Sequence, residues 1–318
     1  MQFWDQLTGH AELDGGFSCL APMDGVTDCV FRQVVMQAAR PDVFFTEFTN
    51  VDSYVSERGR ANALARLRYL APEQPIVAQI WGNKPDHFHQ TALGLKQLGY
   101  QALDINMGCP DRHVVANGGG SDLIRHPALA KDLVRASKNC GLAVSVKTRL
   151  GYTHPDEYQD WLAVLLAEEL DALTIHLRTK KDMSKVDARS AYVEPIIQMR
   201  NQLAPKTKLI INGDIKDIAD GKKYIKLGAD GIMIGRGVFQ NPFCFELKPR
   251  AHTREELFKL LGFHLDLYEQ SQDMPYEALK RFFKIYINNF PSAANIRASL
   301  METHSLSEAR KILDRVNM

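Results

Sequence analysis

Short apolar runs recur along the first three quarters of the chain, and nearly every one ends in polar or glycine residues. They fall at 18–23 (SCLAPM), 42–48 (DVFFTEF), 75–82 (PIVAQIWG) and 102–108 (ALDINMG), then at 143–151 (AVSVKTRLG), 172–179 (ALTIHLRT), 208–215 (KLIINGDI) and 231–238 (GIMIGRGV). Runs of this length bounded by turn signals read as buried strands. Between them, 87–98 and 127–137 carry apolar residues at spacings of three and four, the pattern of a helix that covers a sheet. Successive strands start about 30 residues apart, the length of one strand–helix unit. No hairpin signals join them, so the strands are expected to run parallel. Eight parallel strands close most simply into a (β/α)8 TIM barrel. A doubly wound open sheet is the alternative, weakened because no G-x-G-x-x-G follows the first strand.

The barrel spans about 17–243, close to the ~250 residues typical of the fold. The remainder contains no clear strand. Its segments 254–271, 276–290 and 305–316 read as helices, the last opened by Ser305 with Glu308 three residues on. The fold class is therefore α/β, a (β/α)8 barrel with a C-terminal all-α domain. The expected division is 1–243 and 244–318, near the Asn241-Pro242 turn.

Composition excludes several classes. At 318 residues, 45% hydrophobic and 24% charged, the chain suits a soluble globular protein, not a disordered or fibrous one. No apolar run approaches the ~18–20 residues of a membrane span. The N-terminal MQFWD lacks a secretory pattern, and a cytoplasmic location is expected. The net charge of +1 means that any nucleic-acid contact comes from a local patch. Five cysteines, none in a CxxC pair, read as reduced thiols without a zinc site.

In a barrel the chemistry sits at the C-terminal ends of the strands, and nearly every end carries polar residues. They are Pro22-Met23-Asp24-Gly25, Gln79, Asn106 to Pro110, Lys147 and Arg149, His176 and Arg178, Asn212-Gly213-Asp214, and Gly235-Arg236-Gly237. The last two groups read either as glycines that only make turns or as the phosphate-binding loops after strands seven and eight, where glycine admits an anion to the backbone and Arg236 adds a charged donor. Lys147 lies within an apolar strand, where it either bonds a cofactor ring or sits in an ion pair. Position alone leaves His176 open between a functional and a satisfied polar residue. His87 and His89 point apart on a helix and form no metal pair. Cys109, between Gly108 and Pro110, is followed by Arg112, His113 and the run NGGGS (117–121), a polar loop whose backbone can approach a ligand. Cys19 and Cys29 instead sit in apolar surroundings.

Together these motifs resemble the tRNA-dihydrouridine synthase family of flavoenzymes. The likeness rests on LAPMDGVTD (20–28), TEF (46–48), DINMGCP (104–110), GGGSDLI (118–124), SVKTRLG (145–151), HLRT (176–179), NGDI (212–215) and MIGRG (233–237). The resemblance implies that Cys109 is the general acid. It implies FMN held by Pro22, Met23, Asp24, Gln79, Lys147 and His176, with its phosphate on Asn212, Gly213, Asp214, Gly235 and Arg236. Asn106 and Arg149 match positions that contact tRNA at the target uridine. NADPH would reduce FMN; the flavin would pass hydride from N5 to C6 of the uracil ring, and Cys109 would protonate C5 from the opposite face. A thiol with an ordinary pKa of ~8.5 is protonated at neutral pH, as a proton donor must be.

tRNA is the implied partner, with no membrane and no obligate protein partner. The helical tail would bind it through 280–315, which holds Lys280, Arg281, Lys284, Arg297, Arg310, Lys311 and Arg315 interleaved with aromatic residues. By composition alone that stretch also reads as a solvated face over an aromatic core. The sequence departs from the family pattern at four residues: Leu177 replaces the glycine of H-G-R-T and is expected to narrow the space beside the flavin, Arg112 and His113 occupy a loop where lysine is common, and Asn50 lies where subfamilies differ. A flavin barrel acting on a free pyrimidine, like dihydroorotate dehydrogenases, and a non-catalytic RNA-binding barrel are the competing readings.

Overall fold

The computed structural model describes residues 3–7, 9–271, 274–288 and 290–317. Its strands are β1 (Phe17–Leu20), β2 (Phe44–Phe45), β3 (Thr49–Asn50), β4 (Ile76–Trp81), β5 (Ala102–Met107), β6 (Ala143–Arg149), β7 (Ala172–His176), β8 (Lys208–Asn212) and β9 (Gly231–Ile234). All pairs are parallel, in the order β1-β9-β8-β7-β6-β5-β4-β2, with β3 also on β4. A bridge between Cys19 and Val43 closes the ring, where the Leu20 N–H donates to the Val43 carbonyl at 3.1 Å. The expected barrel is present, with helices between the strands and a helical C-terminal region.

Of the run expected as one strand over 42–48, only Phe44–Phe45 is strand, and a second short strand follows the run at Thr49–Asn50. Thr46 takes the ladder position with its side chain, its Oγ1 accepting the Gln79 N–H at 3.0 Å. Glu47 then turns its carboxylate to the Gly25 N–H at 2.5 Å. The β1 loop is thereby tied to the second strand at the expense of regular pairing.

Alternate residues point into a barrel. On β4 and β5 the inward series pass from Val77 to Gln79 and from Ala102 to Asp104 and Asn106. The deep members Val77, Ala102, Ala172 and Ile210 form an apolar plug with Trp4 and Phe17. Register places Gln79 beside Asp104, Asn106 beside Lys147, Arg149 beside His176 and His176 beside Asn212. The lower barrel is thus filled with apolar side chains, and the mouth carries one contiguous polar layer.

The C-terminal helices are Arg254–Ser271, Tyr276–Leu279, Phe283–Tyr286, Ala293–Met301 and Leu306–Asn317. The single helix expected over 276–290 is broken by a tight turn at Lys280–Phe282 and ends by Ile287. The turn buries Lys280, whose Nζ donates to the Met301 carbonyl at 3.0 Å. The Ser305 cap is present, but Glu308 reaches back to the His304 N–H instead of completing a reciprocal box. Phe282 packs on Phe31 of the barrel at 4.8 Å, and Arg281 donates to the Gly25 carbonyl at 2.8 Å. Among the described residues no helix is long and apolar enough to cross a membrane.

Candidate active site

A cavity of about 510 Å³ opens at the mouth, lined by Pro22, Met23, Lys147, His176, Asn212, Gly213, Asp214, Gly235 and Arg236. Nine of the expected site residues therefore meet in one place. Gly213 has φ +127°, and a Cβ there would meet Ala188 Cβ at 3.1 Å, so the turn requires glycine. The exposed Asp214 has its carboxylate engaged by protein groups: it pairs with Arg178, with Arg236 at 2.9 Å, and accepts from the Ala188 N–H at 3.0 Å. Arg236 keeps more than half of its side chain exposed, so the guanidinium can serve both Asp214 and an incoming anion.

Lys147 makes no hydrogen bond within the described residues, and burial, with Arg149 adding to it, pulls its pKa down to about 8. His176 is held well below the usual imidazole range, by burial first and then by the surrounding cations. It is neutral, and its Nδ1 is buried without a partner. An orphaned ring nitrogen, an unpaired ammonium and a glycine-floored turn beside an arginine suit an anionic ligand that also carries a polar ring.

Cys109 follows β5 and is fixed at both ends of its backbone. Its N–H donates to Asn106 Oδ1 at 2.9 Å, and its carbonyl accepts from the Ser121 N–H at 3.0 Å and Oγ at 2.9 Å. Burial raises its thiol above the ordinary value, although Arg149 and Lys147 work the other way. The thiol is protonated at neutral pH.

The glycine run after Cys109 has a different role from the expected ligand loop. Gly120 has φ +57°, and a Cβ there would lie 2.7 Å from the Cys109 carbonyl oxygen; one on Gly119 would lie 2.9 Å from Trp81. These glycines let the chain fold down onto the Cys109 backbone. The bare backbone faces protein, not ligand.

Gln79, Asn106 and Arg149 lie beneath and beside the cavity. Gln79 Nε2 donates to Asp104 at 2.7 Å, and its Oε1 accepts from Asn106 Nδ2 at 3.0 Å. Gln79 is fully buried and lines neither cavity. Arg149 is 8% exposed. It donates from Nε to the Gly108 carbonyl at 2.6 Å and from Nη1 to Thr179 and Met183 carbonyls at 3.1 Å. It braces the Cys109 loop from below.

A second cavity, about 450 Å³, lies on the other side of that loop and is lined by Cys109, Asp24, Asn50, Arg66, Trp81 and His113 among others. Asp24 is thus separated from Pro22 and Met23: its carboxylate pairs with Arg66, which also reaches Glu47 at 3.4 Å. His113 edges Trp81 at 6.3 Å, whereas Arg112 lines neither cavity.

Two further expectations are corrected. Leu177 is fully buried in the outer apolar layer and lines neither cavity, so it does not narrow the mouth. The period-two alternation turns it outward while His176 faces in. In the basic stretch most cations are already engaged: Lys280 with Glu277, Arg281 with Gly25, Arg297 with the Ile287 carbonyl, and Arg310 with Asp266 and Glu269. Phe282, Phe283 and Tyr286 are core residues. Lys284, Lys311 and Arg315 remain without a charge partner among the described residues.

The residues that motif reading passed over are Asp104, Ser145, Glu47 and Arg66. Asp104 had a signal: it is a charged residue inside an apolar run, the same anomaly that singles out Lys147. Arg66 had none, because its partners are 42 and 19 residues away in sequence.

A family model described as "Dihydrouridine synthase (Dus)" matches residues 19–317. The "Probable tRNA-dihydrouridine synthase 2" of Bacillus subtilis (strain 168) is 51% identical over 307 residues, covering 95% of this chain and 94% of that protein. The "Probable tRNA-dihydrouridine synthase" of Staphylococcus aureus (strain COL) is 49% identical over 308 residues, covering 96% and 94%. Among solved structures, histamine dehydrogenase from Rhizobium sp. 4-9 aligns with TM-score 0.52 at 12% identity, over 72% of this chain and 45% of that one. Morphinone reductase in complex with tetrahydroNAD aligns with TM-score 0.50 at 14% identity, over 72% and 85%. At such identities the structural likeness speaks to the barrel fold alone.

Proposed function

The chain belongs to the dihydrouridine synthase family, and from that premise we propose that it reduces uridines of tRNA to 5,6-dihydrouridine, with FMN as bound cofactor and NADPH as reductant. It is an oxidoreductase of the flavin-dependent kind, and a cytoplasmic place beside its tRNA substrate goes with this reading.

Pro22, Met23, Lys147 and His176 would hold the isoalloxazine side of FMN, and Asn212, Gly213, Asp214, Gly235 and Arg236 its phosphate. The orphaned His176 Nδ1 and the unpaired Lys147 ammonium fit that group. A bound flavin supplies the hydride chemistry. Lys147 supplies positive charge at the ring, and His176, being neutral, supplies a hydrogen bond without adding charge. Arg149 and Asn106 hold the Cys109 loop while the uracil is presented. Cys109 keeps its proton on Sγ and gives it to C5 of the uracil ring, hydride having gone to C6.

The uridine must leave its stack to enter, at a cost of about a few kcal/mol. Contacts from the helical region to tRNA phosphates offset that cost. Lys284, Lys311 and Arg315 are the cations free to make them. The observation that carries the reading is Cys109: a protonated thiol, fixed at both backbone ends and lining a second cavity at the mouth that holds the one suited to an anionic ring ligand.

The test is the visible spectrum of the purified protein. A yellow protein that NADPH bleaches without oxygen, and that unmodified tRNA then reoxidises quickly, meets the proposal. Faster reoxidation by a free pyrimidine would move the substrate to a small molecule. A protein that cannot be loaded with FMN would leave only RNA binding.

A further inference from the structure

The polar layer of the mouth contains a buried acid that the reaction does not use. Asp104 is fully buried on β5, and no cation among the described residues bonds to it. Its oxygens accept from Ser145 Oγ and from Gln79 Nε2, both at 2.7 Å. The facing ionisable groups are Lys147, on β6, and the buried thiol of Cys19, on β1. We propose that Asp104 is a positioning residue for the acid loop: as a carboxylate it sets the direction of a hydrogen-bond relay, Ser145–Asp104–Gln79–Asn106, that ends on the N–H groups of Gly108 and Cys109. The inference rests on the functional reading above.

The direction follows from which groups can donate. An ionised carboxylate only accepts. Gln79 must therefore turn its Nε2 toward Asp104, which leaves Oε1 facing Asn106. Asn106 must answer with Nδ2, at 3.0 Å. Its Oδ1 is then the atom left for the N–H of Gly108 at 3.1 Å and of Cys109 at 2.9 Å. Gln79 is fully buried and Asn106 5% exposed, so the amides have little access to water as a substitute partner.

Protonation removes this constraint. A neutral Asp104 no longer fixes the direction: it can donate to Ser145 Oγ, which leaves the relay as it stands, or to Gln79 Oε1, which reverses it. In the second case the Gln79 amide flips and offers Nε2 to Asn106, which must turn its own Oδ1 to meet it. That sets Asn106 Nδ2 against the Cys109 N–H, donor against donor, and the acid loop loses its anchor. Burial brings this within reach of working pH, since the Asp104 carboxyl is pushed up to about 6. An asparagine at the same position can keep its oxygen on Gln79 with its NH2 turned to Ser145 Oγ, and, having no proton to gain, its balance between orientations does not change with pH. A leucine keeps the volume and removes the relay.

The test compares D104N and D104L in the flavin-loaded protein, following flavin reduction by NADPH and reoxidation by unmodified tRNA separately. D104L should slow reoxidation about 30- to 100-fold through misplacement of the acid, with reduction changed less than about 3-fold. D104N should stay within a few-fold of wild type and lack the fall in reoxidation rate expected of wild type below about pH 6. A second readout needs no tRNA: alkylation of Cys109 by iodoacetamide at pH 8, read by mass spectrometry, should be several-fold faster in D104L and unchanged in D104N. Should D104L fail to fold, the acid limb of D104N decides alone. An acid limb that persists in D104N, a D104N as impaired as D104L, or a D104L that matches wild type in both readouts overturns the relay. If tRNA is not a substrate at all, the alkylation pattern still tests the relay, so the two failures can be told apart.

Discussion

Lys147 is held in its charged form against its own stability, and replacing it separates folding from function. Its pKa in the folded protein is about 8, against the ordinary 10.5. At about 1.4 kcal/mol per pH unit this corresponds to roughly 3 kcal/mol. The ammonium end reaches the mouth cavity, where water screens it, so about 1–3 kcal/mol is the expected share. The sign is that of a depressed cation. Below pH 8 both folded and unfolded chains carry the proton, and the folded one bears the full penalty. Between pH 8 and 10.5 the penalty fades, and above that range it is gone. The K147M variant, whose side chain is unbranched and apolar, should therefore make the cofactor-free protein more stable at pH 7 by about 1–3 kcal/mol. That gain should shrink steadily as the pH approaches 10. The same change removes the charge aimed at the flavin, and affinity for FMN should fall about 10- to 100-fold, the worth of one charge-assisted hydrogen bond. Urea unfolding of the apoprotein at pH 7 and pH 9.5 measures the first effect, and fluorescence titration with FMN the second. No gain at pH 7, or a gain independent of pH, would refute the view of Lys147 as a strained cation. Unchanged FMN affinity would refute its role at the ring.

The C109A variant should bind flavin and be reduced by NADPH normally but reoxidise with tRNA about 10²- to 10⁴-fold more slowly; unchanged turnover would remove Cys109 as the acid. Because burial raises the Cys109 thiol, wild-type reoxidation should hold through neutral pH and, on the alkaline side, fall only above the ordinary thiol range of ~8.5, as the proton is lost. G120A forces a residue at φ +57° against the Cys109 carbonyl, so it should lose about 2 kcal/mol or more of stability and most reoxidation activity, read by denaturation and stopped flow. Reversing Lys284, Lys311 and Arg315 to glutamate should raise the KM for tRNA at least about tenfold at low salt, with kcat nearly kept. An equal loss at all salt concentrations would place tRNA binding elsewhere.

Much of the barrel was legible because its signals are local. Apolar runs every 30 residues or so, each with a polar end, specify parallel strands whose ends face one mouth. The second strand was read as continuous because its break is made by distant partners: Thr46 pairs with Gln79 through its side chain, and Glu47 turns to Gly25. The helix over 276–290 was misread for a similar reason. Its apolar pattern is unbroken, but burying Lys280 against the Met301 carbonyl needs the tighter turn.

Chain composition and periodicity determined the barrel, the helical tail and the cluster of polar residues at the strand ends. The order of motifs determined the family. Only the tertiary structure decided how those residues are employed. It engaged Arg281 and Arg297 in internal bonds and left Lys284, Lys311 and Arg315 without ion pairs among the described residues. It turned Leu177 outward, put Asp24 with Arg66, and laid the glycine run on the back of Cys109. Strand periodicity is written in neighbouring residues, whereas a hydrogen bond has a partner and a direction. In this protein the partners stand tens of residues apart and meet only when the barrel closes.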